Sequence, residues 1–153
     1  MDISIGKSNL EEAPVLVEIY NAAFYHDYIR FGSCPGYGHT VEDMKKSIQN
    51  NYKFTIYVDK KPVGAISLSN EGNGIYHIGC LCVIPQYQGK GIGTKSIKFI
   101  EEEFTDWKEL TLETPADKEE NVDFYCKKGN FQIVKEIMDG NTKLYCFSKK
   151  NKL

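Results

Sequence analysis

The stretch Leu81–Thr94, Leu-Cys-Val-Ile-Pro-Gln-Tyr-Gln-Gly-Lys-Gly-Ile-Gly-Thr, constrains this chain more than any other. It runs from an apolar strand, through a proline stop, into a glycine-rich turn that opens an amphipathic helix. A helix start leaves its first backbone N–H groups without intrahelical partners and carries a partial positive charge, which suits phosphate oxygens. Glycines at 89, 91 and 93 remove side chains that would hold a pyrophosphate off those amides, and Lys90 adds a full positive charge. Two commoner glycine motifs do not fit. The P-loop reads G-x-x-x-x-G-K-[ST], whereas Gly89-Lys90 is followed here by Gly91. The dinucleotide fingerprint reads G-x-G-x-x-G at the first strand of a βαβ unit, whereas this run is G-x-G-x-G, deep in the chain.

The run resembles the acetyl-CoA loop of the GNAT superfamily of N-acyltransferases, [QR]-x-x-G-x-[GA] after a strand of the form L-x-V-x-P. Gln88, Gly91 and Gly93 fill the loop signature, and Leu81, Val83 and Pro85 fill the strand. The resemblance implies acetyl-CoA as co-substrate. Its pyrophosphate is expected on the amides of residues 88 to 93, within a loop of Gln88, Gly89, Lys90, Gly91, Ile92, Gly93 and Thr94. It also implies that the backbone of Leu81, Cys82 and Val83 hydrogen-bonds the pantetheine arm and polarises the thioester carbonyl.

A length of 153 residues without a low-complexity break reads as one domain, 1–153, able to bury a substantial core. A net charge of −2 argues against nucleic-acid or membrane binding driven by charge. Five cysteines (34, 80, 82, 126, 146), with no C-x-x-C pair, indicate neither a disulfide framework nor a zinc site. Cys80 and Cys82 are expected to pack as small hydrophobes. The N-terminus lacks a basic region followed by an apolar one, and no run of 18 apolar residues occurs, so a reduced cytoplasmic setting is expected. The expected assembly is a monomer or homodimer.

Along the chain, residues 2–7 alternate as a strand. Ser8-x-x-Glu11 and Asn9-x-x-Glu12 both match a capping box before a first helix carrying Val15, Leu16, Ile19, Tyr20 and Ala23, with Pro14 in its first turn. Tyr25–His39 crowds aromatic, charged, Gly and Pro residues together and reads as irregular backbone that packs onto something. Thr40 with Asp43 caps a second helix to Asn50. Phe54–Val58 and Val63–Ser69 form a hairpin about the turn Asp59-Lys60-Lys61-Pro62, and 70–74 is a second turn. After the glycine loop, Ile97, Ile100, Phe104 and Trp107 recur at helical spacing opposite Lys95, Lys98, Glu101 and Glu102. A strand at Leu110–Thr114 follows. Asp117-x-x-Glu120 is expected to cap a short helix ending at Gly129, and a terminal hairpin precedes a basic, solvated tail, 149–152. The order β-α-α-β-β-β-α-β-α-β-β is that of an α/β (α+β) mixed sheet flanked by helices, and it resembles the GNAT layout over the whole chain.

Phe124-Tyr125-Cys126-Lys127-Lys128-Gly129-Asn130-Phe131 resembles the family's [LF]-Y-x-x-x-G-F segment, with Asn130 as one extra residue. The resemblance implies that the Tyr125 hydroxyl reaches the sulfur of coenzyme A. The chemistry agrees, since a phenol is protonated at neutral pH and can protonate a departing thiolate. An attacking ammonium must lose its proton. Glu113, twelve residues before Tyr125, stands where some relatives that acetylate protein N-termini place a catalytic glutamate, and His77 is the alternative base. Many relatives have an asparagine seven residues before the tyrosine; here that position is Lys118, with Asn121 nearby. In similar proteins the segment joining the first two helices lines the acceptor site, which makes Tyr25, Asp27, Tyr28 and Arg30 the substrate-binding candidates. The reading is an acetyl-CoA-dependent N-acetyltransferase with no metal, acting on a small or amino-acid-like primary amine. The alternatives are a protein N-terminus or lysine as acceptor, or a non-catalytic acyl-CoA sensor.

Overall fold

Strand β1 (Ile3–Lys7) ends where Asn9 turns the chain. The Asn9 side chain accepts from the Glu12 N–H at 3.1 Å, and the Glu12 carboxylate accepts from the Asn9 N–H at 3.0 Å. Of the two capping boxes in the sequence this one forms; Ser8 is buried instead, 2.7 Å from the Thr55 hydroxyl. One 3₁₀ turn leads into α1 (Ala13–Phe31), with Pro14 in its first turn, where a missing N–H is harmless. Helix α1 runs further than expected, so Tyr25–Phe31 is helical. The reason is local: no breaker precedes Gly32, which stops the helix at φ 78°, its N–H bonded to the Tyr28 carbonyl at 2.9 Å. Thr40 and Asp43 cap α2 (Val41–Asn50) reciprocally, as the sequence indicated.

This computed structural model describes residues 1–152. The remaining elements are β2 (Tyr52–Val58), β3 (Lys61–Gly72), β4 (Ile75–Val83), α3 (Ile92–Glu103), β5 (Glu109–Pro115), α4 (Glu119–Asp123), β6 (Gln132–Asp139) and β7 (Thr142–Lys150). The two turns around β3 are shorter than the sequence suggested. Left-handed Asp59 and Lys60 (φ 49° and 68°) make a two-residue hairpin loop, and Asn73-Gly74 (φ 56° and 78°) makes the second. The strand order is β1-β2-β3-β4-β5-β7-β6. Pairing is antiparallel for β1/β2, β2/β3, β5/β7 and β6/β7, and parallel for β4/β5. That parallel ladder covers three pairs, Ile75↔Glu109 to His77↔Thr111, and both strands run on beyond it.

The chain forms two units, one of Met1–Leu68 with Cys80–Ser96, the other of Ser69–Gly79 with the chain from Ile97 onward. The first centres on Leu16, Ile19, Met44, Ile48 and Ala65, contributed by the apolar faces of α1 and α2 and by β3. In the second, Ile97, Ile100, Leu110, Leu112 and Phe147 are buried, and Phe104 and Trp107 join them from beyond the end of α3. Ile100 is 0% exposed, so Ile100→Ala is expected to lower the unfolding free energy by about 2–5 kcal/mol in a denaturant titration, whereas Ile100→Val costs about 1 kcal/mol.

Two terminal expectations are corrected. Lys149 and Lys150 belong to β7, and the Lys149 ammonium donates to Glu101 at 2.8 Å with both side chains largely shielded. The Asn151 N–H donates to the Lys108 carbonyl at 2.8 Å and its side chain to that of Trp107 at 3.0 Å, so the tail is fastened at Lys149 and Asn151, while Lys150 and Lys152 are exposed as expected. The N-cap of α4 is Lys118 rather than Asp117: the Lys118 N–H closes a turn on the Pro115 carbonyl at 3.0 Å, and α4 begins at Glu119.

Candidate active site

In the first unit, β4 delivers the chain to a 3₁₀ turn, Pro85–Tyr87, and α3 starts five residues after it at Ile92. Gly89 and Gly91 take φ 74° and 82°, where a side chain is strained, and a Cβ on either would meet no atom within 4 Å. The space before the turn is therefore open, and only the absent side chains keep it so. The first bond of α3 runs from the Lys95 N–H to the Gly91 carbonyl at 3.2 Å. The N–H groups of Ile92, Gly93 and Thr94 precede it and have no intrahelical acceptor. With the exposed Lys90 beside them, these donors fit a pyrophosphate.

Gln88 differs from expectation. Its N–H is held by the Pro85 carbonyl at 3.3 Å, and its side-chain amide donates to the Val83 carbonyl at 2.8 Å. Gln88 thus braces the turn against the strand end. Leu81 and Val83 are half-buried and Cys82 is buried, so side chains of this strand end pack inward while its backbone leads to the turn.

Tyr125 lies in the second unit. After α4 the chain widens into a π-helical segment, Phe124–Lys128, in which the Gly129 N–H reaches the Phe124 carbonyl at 3.0 Å. The extra Asn130 has its explanation here. It takes φ 59°, and this left-handed residue, rather than Gly129 at φ −85°, ends the helix and lets the Phe131 N–H reach the Tyr125 carbonyl at 2.8 Å. The Tyr125 ring is fixed by Phe131 and Phe147, with centroids 5.6 and 5.7 Å away, and is 8% exposed. A π segment commonly marks a functional position, and this one aims a single aromatic residue.

Glu113 is exposed on β5, across from Cys146 of β7. Burial first and the Glu113 charge second push the Cys146 thiol up. On the same face of β5, two residues before Glu113, Thr111 binds the His77 Nδ1 at 2.8 Å. Ser148 donates to Glu109 at 2.6 Å on that face too, so a polar row runs along the strand. Asn121 donates to the Thr114 hydroxyl at 3.2 Å and ties α4 to β5, while the Lys118 carbonyl accepts from the N–H groups of Asn121 and Val122, each at 3.0 Å.

The four acceptor candidates do not share one wall. At 100° per residue, Tyr25 and Tyr28 point about 160° away from Asp27 and Arg30 around α1. The tyrosine face is built up by Tyr37, which stacks on Tyr28 at 4.3 Å and 14° and lies 6.3 Å from Tyr25. The Gly38 N–H, bonded to the Asn21 side chain at 3.0 Å, holds that loop to the helix. Arg30 lies over the Phe31 ring at 5.1 Å.

Several solved structures share this fold. The PaiA N-acetyltransferase of Thermoplasma acidophilum, in complex with coenzyme A, is 19% identical with a TM-score of 0.82, covering 99% of this chain and 100% of that one. The ribosomal-protein-S18-alanine N-acetyltransferase of Escherichia coli is 14% identical with a TM-score of 0.77, covering 97% and 94%. The yncA protein of Salmonella typhimurium, with its cofactor acetyl-CoA, is 12% identical with a TM-score of 0.76, covering 98% and 94%. No curated protein sequence matches the chain. Residues 15–130, which hold nearly all of α1, the whole of α2, the glycine turn and Tyr125, match the acetyltransferase (GNAT) family, and the chain belongs to that family.

Proposed function

We propose that this acetyltransferase passes the acetyl group of acetyl-CoA to the primary amine of a small, amino-acid-like acceptor within a ternary complex, the work of one domain spanning 1–153. The observation that carries the reading is the glycine turn. Two left-handed glycines, open space where their side chains would stand, and free amides at the head of α3 are what a pyrophosphate requires. Gly89, Lys90, Gly91, Ile92, Gly93 and Thr94 hold the donor's phosphates, and the strand end Leu81–Val83 takes its pantetheine arm. When bound, acetyl-CoA supplies an electrophilic thioester carbonyl and a thiolate leaving group.

The chain's own residues handle the protons. Tyr125 holds a proton at its hydroxyl and gives it to the departing sulfur. Glu113, exposed and so in contact with water, draws the proton from the acceptor ammonium through a water molecule. Glu113→Gln is therefore expected to lower kcat/KM on the order of a hundredfold near neutral pH. The loss should shrink as pH rises, because more of the amine is then already neutral. A pH profile of both proteins checks this, and a variant whose deficit is the same at every pH would remove Glu113 from the proton path.

On the acceptor side, Tyr25 and Tyr28 offer an aromatic face suited to the body or ammonium of the acceptor. Asp27 and Arg30 serve on the other face of α1. None of the five cysteines is in a disulfide, in keeping with a reduced, cytoplasmic setting, and the enzyme is read as a monomer or homodimer. Among the described residues no helix is long and apolar enough to cross a membrane. Acceptor class is tested by thiol release from acetyl-CoA against a panel of small amines, amino acids and peptides with free N-termini. Transfer to small amines alone supports the reading. Transfer to peptides alone replaces it with a protein N-terminus as acceptor, the substrate class in the name of the Escherichia coli structural neighbour.

A further inference from the structure

The strand order leaves two edges, β1 and β6, and they are built differently. β1 is five residues long, and none of its side chains is at once large, apolar and exposed. β6, in the second unit, is exposed along its length except at half-buried Ile137, and Ile133, Val134 and Met138 are 42%, 59% and 64% exposed. Apolar side chains beside a row of unpaired backbone groups make an edge that recruits another strand. Val134 stands outside the β6/β7 register, between Ile133↔Phe147 and Lys135↔Cys146, so the regular part of this edge is 135–139.

The pairing with β7 fixes which groups that edge presents. Asp139 and Thr142 face each other across a two-residue turn whose Gly140 has φ 60°. The pair closing such a turn is a hydrogen-bonded one, and bonded and non-bonded pairs alternate along an antiparallel ladder. Asp139, Ile137 and Lys135 therefore turn their backbone groups towards β7, and Met138 and Glu136 turn theirs outward. Side chains alternate as well: Lys135, Ile137 and Asp139 share one face of the strand, Glu136 and Met138 the other. Glu136 pairs with Lys143 at 3.2 Å, whereas no ion pair among the described residues engages Lys135 or Asp139.

We propose that β6 pairs antiparallel with β6 of a second copy of this chain, about a twofold axis at Ile137, to form a homodimer. A twofold axis sets one residue opposite itself, and the charges choose which. Centring on Lys135, Glu136 or Asp139 sets a charge against its own copy, and centring on Met138 sets Asp139 against Ile137. Centring on Ile137 sets Lys135 against Asp139 of the second copy, twice, on one face, and Glu136 against Met138 on the other. The outward N–H and C=O groups of Glu136 and Met138 then bond across the axis. A lysine on an edge strand ordinarily keeps copies apart. Here Asp139 of the second copy receives it. One strand from each copy makes an interface below the usual size of about 1,200–2,000 Å², so the dimer forms reversibly as concentration rises. No residue of the glycine turn takes part, and the dimer stands or falls independently of acetyl transfer.

Sedimentation equilibrium of the full chain from about 1 μM to about 500 μM reads the association directly. The expected mass rises from 17.4 kDa towards twice that value. Lys135→Glu and Asp139→Lys each set like charges opposite one another and should each raise the dissociation constant about tenfold or more. Combining them restores opposite charges and should bring it back close to that of the wild type. Ile137→Cys supplies a second readout, because α-carbons of a facing non-bonded pair lie about 4.5 Å apart, within the disulfide span of about 4.4–6.8 Å. Mild oxidation of that variant should give a covalent dimer that dithiothreitol dissolves, with the bond mapped by peptide mass to position 137. A wild type of 17.4 kDa at every concentration would overturn the dimer. A dimer that both charge reversals leave unchanged would overturn the pairing through β6. Weakening by the single reversals without recovery in the double variant, or no crosslink at position 137, would overturn the register.

Discussion

Tyr125→Phe is expected to lower turnover roughly a hundredfold or more while acetyl-CoA binding stays nearly unchanged. The substitution is clean because the ring is already one of a cluster of aromatic side chains: Phe131 and Phe147 hold it at 5.6 and 5.7 Å, and a phenylalanine keeps both contacts. Only the hydroxyl is lost. Without a donor, the sulfur must leave as a free thiolate, so the deficit belongs to kcat and to kcat/KM equally, the pattern of an interaction made in the transition state. Acceptors do not change this expectation, because the proton is delivered to the donor's sulfur. Steady-state kinetics with any accepted amine, paired with calorimetric titration of acetyl-CoA, decides it. A variant with wild-type kcat would take Tyr125 out of the chemistry and leave it as a packing residue.

Gly89→Val and Gly91→Val are expected to do the opposite, reducing acetyl-CoA affinity about thirtyfold or more, with a loss of stability no larger than the strain in the turn itself. Both positions have left-handed φ, so a branched side chain strains the turn by about 1–3 kcal/mol, and whatever the turn does to relieve that strain misplaces the amides. A Cβ at either position meets no protein atom within 4 Å, so the new side chain occupies the ligand's space and not the core. Gly36 supplies the contrast. A Cβ there would clash with the Phe24 ring, so Gly36→Val should lower the melting temperature with no direct effect at the glycine turn. Calorimetry and thermal unfolding on the three variants separate the two outcomes. Equal acetyl-CoA affinity in Gly91→Val and wild type would mean that the pyrophosphate lies elsewhere.

What could be read in the sequence was whatever a short motif or a clean period encodes. The glycine turn, the Asn9–Glu12 and Thr40–Asp43 caps and the order of strands and helices all follow from neighbours a few residues apart, and all are present. Errors arose where two local signals compete. The glycines and proline at 32–38 suggest a loop that the seven helix-compatible residues before them do not form, so Tyr25, Asp27, Tyr28 and Arg30 lie on two faces of α1 rather than along one wall. Asn130 was visible as an insertion. Its use, a left-handed stop after a π-helical segment, depends on hydrogen bonds from Gly129 and Phe131 that no pattern announces. Lys53 is illegible for another reason: a lysine in a strand reads as a solvated one, and only the structure shows it buried, its Nζ donating to the Tyr20 hydroxyl on α1.

The most direct measurement of the account is calorimetric titration of acetyl-CoA into the wild type and Gly91→Val, followed on the same samples by thiol release with and without an amine panel. The expected result is saturable acetyl-CoA binding to the wild type, strongly weakened binding to the variant, and thiol release that requires both the wild-type turn and an amine. Saturable binding with no amine-dependent thiol release from any acceptor would contradict it and leave an acyl-CoA-binding protein that transfers nothing.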